Sequence, residues 1–167
     1  PRLEDLTRFG HMRCIGLAGQ SRGKSPAWMQ QELPPVFERL HAMGAPILQY
    51  KVCSTFDSSA HVGSIGQAID LGVTTSASTW SPMVVGAPRL KRYQVFGHLF
   101  AAANGAVHRI DRHPTMSRHP VTPMQEGDLR VHLAEQTQRR IELIDLAELA
   151  EGSGQARCTA LQGDDQP

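Results

Sequence analysis

Three polar stretches carry the side chains in this sequence that could do chemistry. The first is "CIGLAGQSRGKSPAW" (14–28), which contains Gly19-Gln-Ser-Arg-Gly-Lys-Ser25. It is one residue short of a phosphate-binding P-loop, with three residues between its first Gly and the Gly-Lys pair where the full motif has four. A P-loop turns its backbone N–H groups around phosphates; removing a residue changes that path, and Pro26 removes a donor where the helix begins. Two other readings compete: a capped polar loop with solvated Arg22 and Lys24, or an Arg22 that enters a crevice and grips a carboxylate with its planar fork.

The second stretch, "KVCSTFDSS" (51–59), crowds Ser54, Thr55, Asp57, Ser58 and Ser59 into six residues directly before a helix-like run. Helix capping accounts for one or two of them. Asp57 with several hydroxyls suits a polyol, and Lys51 suits its acid group. The third, "RIDRHPTMSRHPVTPM" (109–124), repeats Arg-His-Pro at Arg112-His113 and Arg118-His119. The spacing of six between these histidines fits no zinc signature, so no metal site is expected. Its prolines would fix the directions of Asp111, Arg112 and His113, unless the loop is simply a rigid connection.

These stretches must be held by regular elements. Ser25 followed by Pro26 reads as an N-cap with Pro at the first helical position. Apolar spacing then predicts a helix through Trp28, Leu33, Phe37 and Leu40, ending near Gly44 and kinked or split at Pro34-Pro35. "MRCIGLAG" (12–19), "PILQYKVCS" (46–54), "MVVGAP" (83–88) and "IELIDL" (141–146) read as strands. "HVGSIGQAIDLG" reads as a short helix ended by Gly72, and "TPMQEGDLRVHLAEQT" as a helix capped by Thr122. "YQVFGHLFA" and "AVHRID" read as strands around an Asn104-Gly105 turn. This alternation predicts an α/β domain: a mainly parallel sheet flanked by helices, with a β-hairpin insertion. Its ligand crevice would lie at the carboxyl ends of the strands, where the three polar stretches fall.

Composition narrows the classes. The chain has 167 residues, 40% hydrophobic and 20% charged, with net charge +1, which suits one globular domain. The weak charge and 5% aromatics argue against nucleic acid as partner, and no run is apolar and long enough to span a membrane. Cys14, Cys53 and Cys158 lack paired spacing and suggest buried, reduced thiols in a cytoplasmic protein. A start at Pro1 and the polar run 151–167 make both ends look cut.

"YKVCSTFDSSAHVGSIGQAID", "VVGAPRLKRYQVFGHLFA" and "DRHPTMSRHPVTPM" resemble the N-terminal domain of the four-carbon acid sugar kinase family over most of the chain. That family includes 3-oxo-tetronate, threonate and erythronate kinases. The resemblance implies a two-domain enzyme that phosphorylates a sugar acid with ATP and Mg, the N-terminal domain holding the sugar acid and a C-terminal domain the nucleotide. Residues 1–150 would be a partial sugar-acid-binding domain, and 151–167 a tail or the start of another element. Ser21 and Arg22 match the family's Ser-Arg loop, so "GKS" becomes a coincidence. Lys51, Ser54, Asp57, Ser58 and Gly86 would line the pocket, with Arg112 and His113 completing it. Asp57 or Asp111 would be the base, a choice left open.

This sequence departs from the family pattern in lacking its Asp-Asp-x-Thr-Gly loop and nucleotide half, and in carrying His98 where members have Asn. No ATP or Mg is therefore expected to bind this chain alone. A missing first strand would leave a sheet edge open to a second copy of the chain. The alternatives are a truncated, non-catalytic interaction module and a small P-loop nucleotide-binding protein.

Overall fold

A computed structural model describes residues 3–163. Five α-helices follow the opening 3₁₀ turn at Leu3–Phe9: α1 Pro26–His41, α2 Ile65–Ser76, α3 Leu129–Ala134, α4 Leu146–Ala150 and α5 Gly154–Gly163. The strands are β1 Arg92–Val95, β2 His98–Ala103 and β3 Ala106–Arg109. They form one sheet in the order β1-β2-β3, and both pairings are antiparallel.

The α/β class therefore holds, but the ladder among the described residues is antiparallel where a mainly parallel sheet was expected. The runs at 14–19, 47–53 and 80–86 form neither helix nor ladder. Their burial still alternates: in 47–52, Leu48, Tyr50 and Val52 face inward while Ile47, Gln49 and Lys51 are exposed. The period of two is thus present without the strand-to-strand hydrogen bonds that define a sheet. Cys14 falls on the outward side and is exposed, and all three cysteines are free, with Cys53 and Cys158 half-buried.

The expected single strand "YQVFGHLFA" is two strands. Phe96 and Gly97 both take positive φ, 48° and 82°, and fold β1 back on β2. Asn104 and Gly105 do the same between β2 and β3, at 51° and 81°, the conformation an Asn-Gly hairpin turn requires.

Helix α1 starts as its sequence predicts. Ser25 Oγ accepts from the Trp28 N–H at 3.3 Å, with Pro26 at the first helical position. The helix is continuous through Pro34 and Pro35. The carbonyls these prolines leave without partners belong to Gln30 and Gln31, which are exposed and so open to water. Helix α2 is capped by Ser64 and passes Gly72, ending at Ala77 in the left-handed conformation. The later helix begins not at Thr122 but at Leu129, where the Asp128 carboxylate accepts from the Arg130 N–H. Residues 141–144 form neither helix nor ladder where a strand was expected, and Asp145 opens α4 with a reciprocal cap to Glu148.

Two apolar clusters hold these pieces. Met29, Leu33 and Phe37 of α1 pack on Ala68 and Leu71 of α2, with Leu48 and Tyr50 alongside. Phe56, Ile65, Val85, Leu99, Ala101, Ile110, Met116, Met124, Leu129 and Leu133 form the larger core. Burying a side chain such as Phe56 contributes about 2–3 kcal/mol. Phe56 belongs to the larger cluster and is flanked in sequence by the polar Thr55 and Asp57.

Candidate functional site

The site is assembled by a residue that would not choose its own backbone shape. Phe56 has φ 54°, a left-handed conformation that costs a non-glycine residue about 1 kcal/mol or more. Its fully buried ring offsets that cost. The turn closes with the Phe56 N–H donating to the Cys53 carbonyl at 3.0 Å. As a result Thr55 and Asp57, on either side, turn toward one another, and Thr55 Oγ1 donates to Asp57 Oδ1 at 2.6 Å.

Asp57 Oδ2 accepts from Arg22 Nη2 at 2.8 Å and from Thr122 Oγ1 at 3.1 Å. All three polar stretches therefore meet at one carboxylate, whose side chain is 0% exposed while that of Arg22 is 61% exposed. Burial pushes the Asp57 carboxyl upward, but the bonds from Thr55 and Arg22, the guanidinium charge and the bond from Thr122 together hold it below the usual carboxylate range. Its bond and charge raise the Arg22 guanidinium in turn. A buried carboxylate anchors an arginine whose side chain is mostly exposed and also meets Cys53.

Two contacts fix the turn that carries Arg22. Gly63 has φ +61°, and a Cβ there would lie 2.3 Å from the Arg22 carbonyl oxygen; the Gly63 N–H donates to the Lys24 carbonyl at 2.8 Å. Ser21 Oγ lies 2.7 Å from the Tyr50 hydroxyl, and the Tyr50 ring stands edge-on to Phe37. The turn is not a phosphate cradle. The N–H groups of Gly23 and Lys24 donate back to the carbonyls of Gln20 and Ser21, and Lys24 Nζ sits 5.6 Å over the Trp28 ring.

The other expected residues divide into surface and interior. Lys51 is exposed and Ser54 half-buried, on the same segment as Asp57. Ser58 is 1% exposed: its Oγ donates to the Phe56 carbonyl, accepts from Gln136 Nε2 at 2.9 Å, and lies 3.1 Å from His132 Nε2. Ser58 is thus turned into the protein, away from any pocket surface. Gly86 packs against Gln94, whose side-chain oxygen accepts from the Val85 N–H.

Asp111 is clasped by Arg109 through bonds of 2.6 Å to each carboxylate oxygen, with Arg112 Nε at 3.5 Å. The Arg109 bonds hold its carboxyl low against the raising effect of burial. Arg112 is 78% exposed. His113 is buried, its Nδ1 accepting from the N–H groups of Thr115 and Met116 at 3.2 Å. Burial holds it below its ordinary value, so it is a neutral support for the loop. No three His, Cys, Asp or Glu side chains among the described residues are grouped to hold a metal ion.

Tyr50, Thr122, His119 and Gln136 were missed as parts of this assembly. Tyr50 had a signal in the inward parity of 48, 50 and 52; Thr122 was hidden by Pro123, which makes it read as a helix cap.

The model of the sugar-binding N-terminal domain family matches residues 3–166. The chain belongs to the four-carbon acid sugar kinase family. It is 65% identical over 167 residues to a 3-oxo-isoapionate kinase of Paraburkholderia graminis, covering 100% of this chain and 36% of that protein. It is 33% identical over 114 residues to a 3-oxo-tetronate kinase of Methylobacterium radiotolerans, covering 68% of this chain and 26% of that protein. The chain thus spans about a third of the length of these relatives. Its fold is similar to the crystal structure of a Haemophilus influenzae protein, with TM-score 0.76 and 22% identity over 87% of this chain and 34% of that one. A Salmonella typhimurium protein described as a putative tRNA synthase gives TM-score 0.77 and 23% identity, over 90% of this chain and 38% of its own. These last two matches speak for the fold alone. No helix among the described residues is long and apolar enough to cross a membrane.

Proposed function

We propose that this chain is the sugar-acid-binding part of a kinase that phosphorylates a 3-oxo sugar acid. The observation that carries the reading is the open Arg22 guanidinium held by the buried Asp57. A planar guanidinium with free N–H groups matches a carboxylate better than it matches a neutral hydroxyl. In this reading Arg22 takes the acid group, exposed Lys51 adds positive charge, and Ser21, Ser54 and the Tyr50 hydroxyl meet the polyol. Arg112 offers a second cation at the surface of the neighbouring loop.

Asp57 and Asp111 are each bonded to arginine, which helps hold both carboxyls below their ordinary range. Their role is to orient Arg22 and the Arg109–Arg112 pair. ATP and Mg fall to the part of the relatives that this chain does not span. The 65% identity to a 3-oxo-isoapionate kinase favours that acid over 3-oxo-tetronate.

Thermal stabilisation of the chain by 3-oxo-isoapionate, 3-oxo-tetronate, threonate and erythronate tests this, with ATP–Mg in parallel. A ligand at a hundred times its Kd stabilises by about 2.7 kcal/mol. Stabilisation by a sugar acid but not by ATP–Mg supports the reading; stabilisation by ATP–Mg alone overturns it.

A further inference from the structure

Thr122 lies on the third loop, 65 residues from Asp57, and its side chain is buried. Its hydroxyl donates to the same carboxylate oxygen, Oδ2, that accepts from Arg22. On its other side the Thr122 N–H donates to His119 Nδ1 at 3.0 Å, and that nitrogen also lies 3.0 Å from Thr122 Oγ1. Nδ1 accepts from the backbone N–H, so it carries no proton to give Oγ1, and the single hydroxyl hydrogen is directed at Asp57 Oδ2. His119 therefore fixes the Thr122 backbone, and Thr122 fixes one edge of the Asp57 carboxylate.

The opposite edge is fixed by Thr55 on Oδ1. With both edges held, Oδ2 has one direction left, and Arg22 occupies it. A carboxylate that can rotate offers an arginine several pairing geometries; one gripped from both edges offers one. That difference decides whether the outer N–H groups of Arg22 stand ready for a ligand or must be ordered by it, and ordering a long side chain weakens binding.

We infer that Thr122 is a positioning residue of the sugar-acid pocket: held by His119, it locks Asp57 so that Arg22 keeps its outward edge aimed at a bound carboxylate. The inference rests on the sugar-acid reading for its ligand, though the locking itself does not need one.

The test uses the whole chain with Thr122→Val, which keeps shape and removes the hydroxyl, and Thr122→Ser, which restores it. Without ligand, the NMR signal of the Arg22 side-chain Nε–H reports how fixed the guanidinium is. The locked arrangement predicts slow solvent exchange of that proton in wild type and Thr122→Ser, and faster exchange in Thr122→Val. Unchanged exchange in a folded Thr122→Val overturns the inference, whatever the protein binds.

With threonate or a 3-oxo acid as probe, Thr122→Val should weaken binding by roughly tenfold, the effect of one charge-assisted hydrogen bond, while Thr122→Ser stays within about threefold of wild type. In an Arg22→Ala background Thr122→Val should add almost nothing, since it acts through Arg22. An equal loss in both backgrounds means a general packing effect and overturns the inference. Wild type that binds none of these acids while its Arg22 proton responds to Thr122→Val overturns the sugar-acid reading and leaves the locking in place.

Discussion

Arg22 Nη2 and Asp57 Oδ2 lie 2.8 Å apart across 35 residues of sequence, the first side chain mostly in the open and the second wholly enclosed. The asymmetry separates two jobs that one ion pair can do. An exposed pair adds little to stability, whereas a buried carboxylate with three donors is a fixed support for a cation that must keep a direction. The pair is therefore better understood as a mount than as a staple.

Replacing the support should reveal both jobs. Asp57→Asn keeps the shape, removes the charge and turns one carboxylate oxygen into a donor facing Arg22 or the threonines. Sugar-acid affinity should fall at least about tenfold. Acid unfolding supplies the second readout. Asp57 has a folded pKa below its unfolded value, so its contribution is complete above the unfolded value near ~4 and is lost as pH falls through the lowered folded value. Wild type should lose stability in that acid range more steeply than Asp57→Asn; parallel curves would count against the assignment.

Gly63→Ala places a methyl group 2.3 Å from the Arg22 carbonyl oxygen at a backbone angle of +61°. Backbone cannot yield as a flexible side chain can, so the Ser21–Gly23 turn must move. Destabilisation of about 1–3 kcal/mol is expected, together with loss of sugar-acid binding. A Gly63→Ala protein that binds as wild type does would show that the turn's position is not critical.

Ser54 and Ser58 come from the same hydroxyl-rich stretch and should behave differently. Ser58→Ala strips Gln136 and His132 of a buried partner, which costs about 1–3 kcal/mol. For a chain of this size each kcal/mol lowers Tm by about 2–4 °C. Ser54→Ala should leave Tm within about 2 °C and weaken ligand binding instead. Calorimetry and a binding isotherm on both variants decide the matter.

Two buried histidines give the folded state a mild acid sensitivity. Burial lowers His132, and it lowers His113 likewise. With folded values below the unfolded value near 6.5, their contribution is complete above about pH 6.5. It declines as pH falls from there toward the lowered values, because the unfolded chain takes up protons first. Urea midpoints should therefore drop between about pH 7 and pH 5, and His132→Gln should flatten the drop.

Much of this was readable before any coordinates. The Ser25-Pro26 helix start, the Asn104-Gly105 turn, and Arg22 and Asp57 as the residues of interest all follow from local chemistry. What local chemistry does not carry is depth and partnership. Ser58 and Ser54 look alike in "CSTFDSS", yet one is sealed by Phe56 and Gln136 and the other reaches the surface. Arg22 and Asp57 could each be named, but nothing in either stretch says that they meet. Alternating apolar residues at 47–52 supply the face of a strand and not its hydrogen-bonding neighbour, so parity survived while the expected parallel ladder did not.

Gln136 joins Ser58 to the start of α2, its Oε1 accepting from the Ile65 N–H at 2.8 Å and its Nε2 donating to Ser58 Oγ. The partners lie 71 and 78 residues apart, so this bracket has a consequence in time. During synthesis the first half of the chain emerges before Thr122 and Gln136 are available to close the Asp57 loop. Contacts of such sequence separation form late, after the loop-closure entropy has been met. The candidate site is accordingly among the last parts to mature, and a nascent chain halted before residue 136 holds Arg22 and Asp57 without the Gln136 bracket behind them.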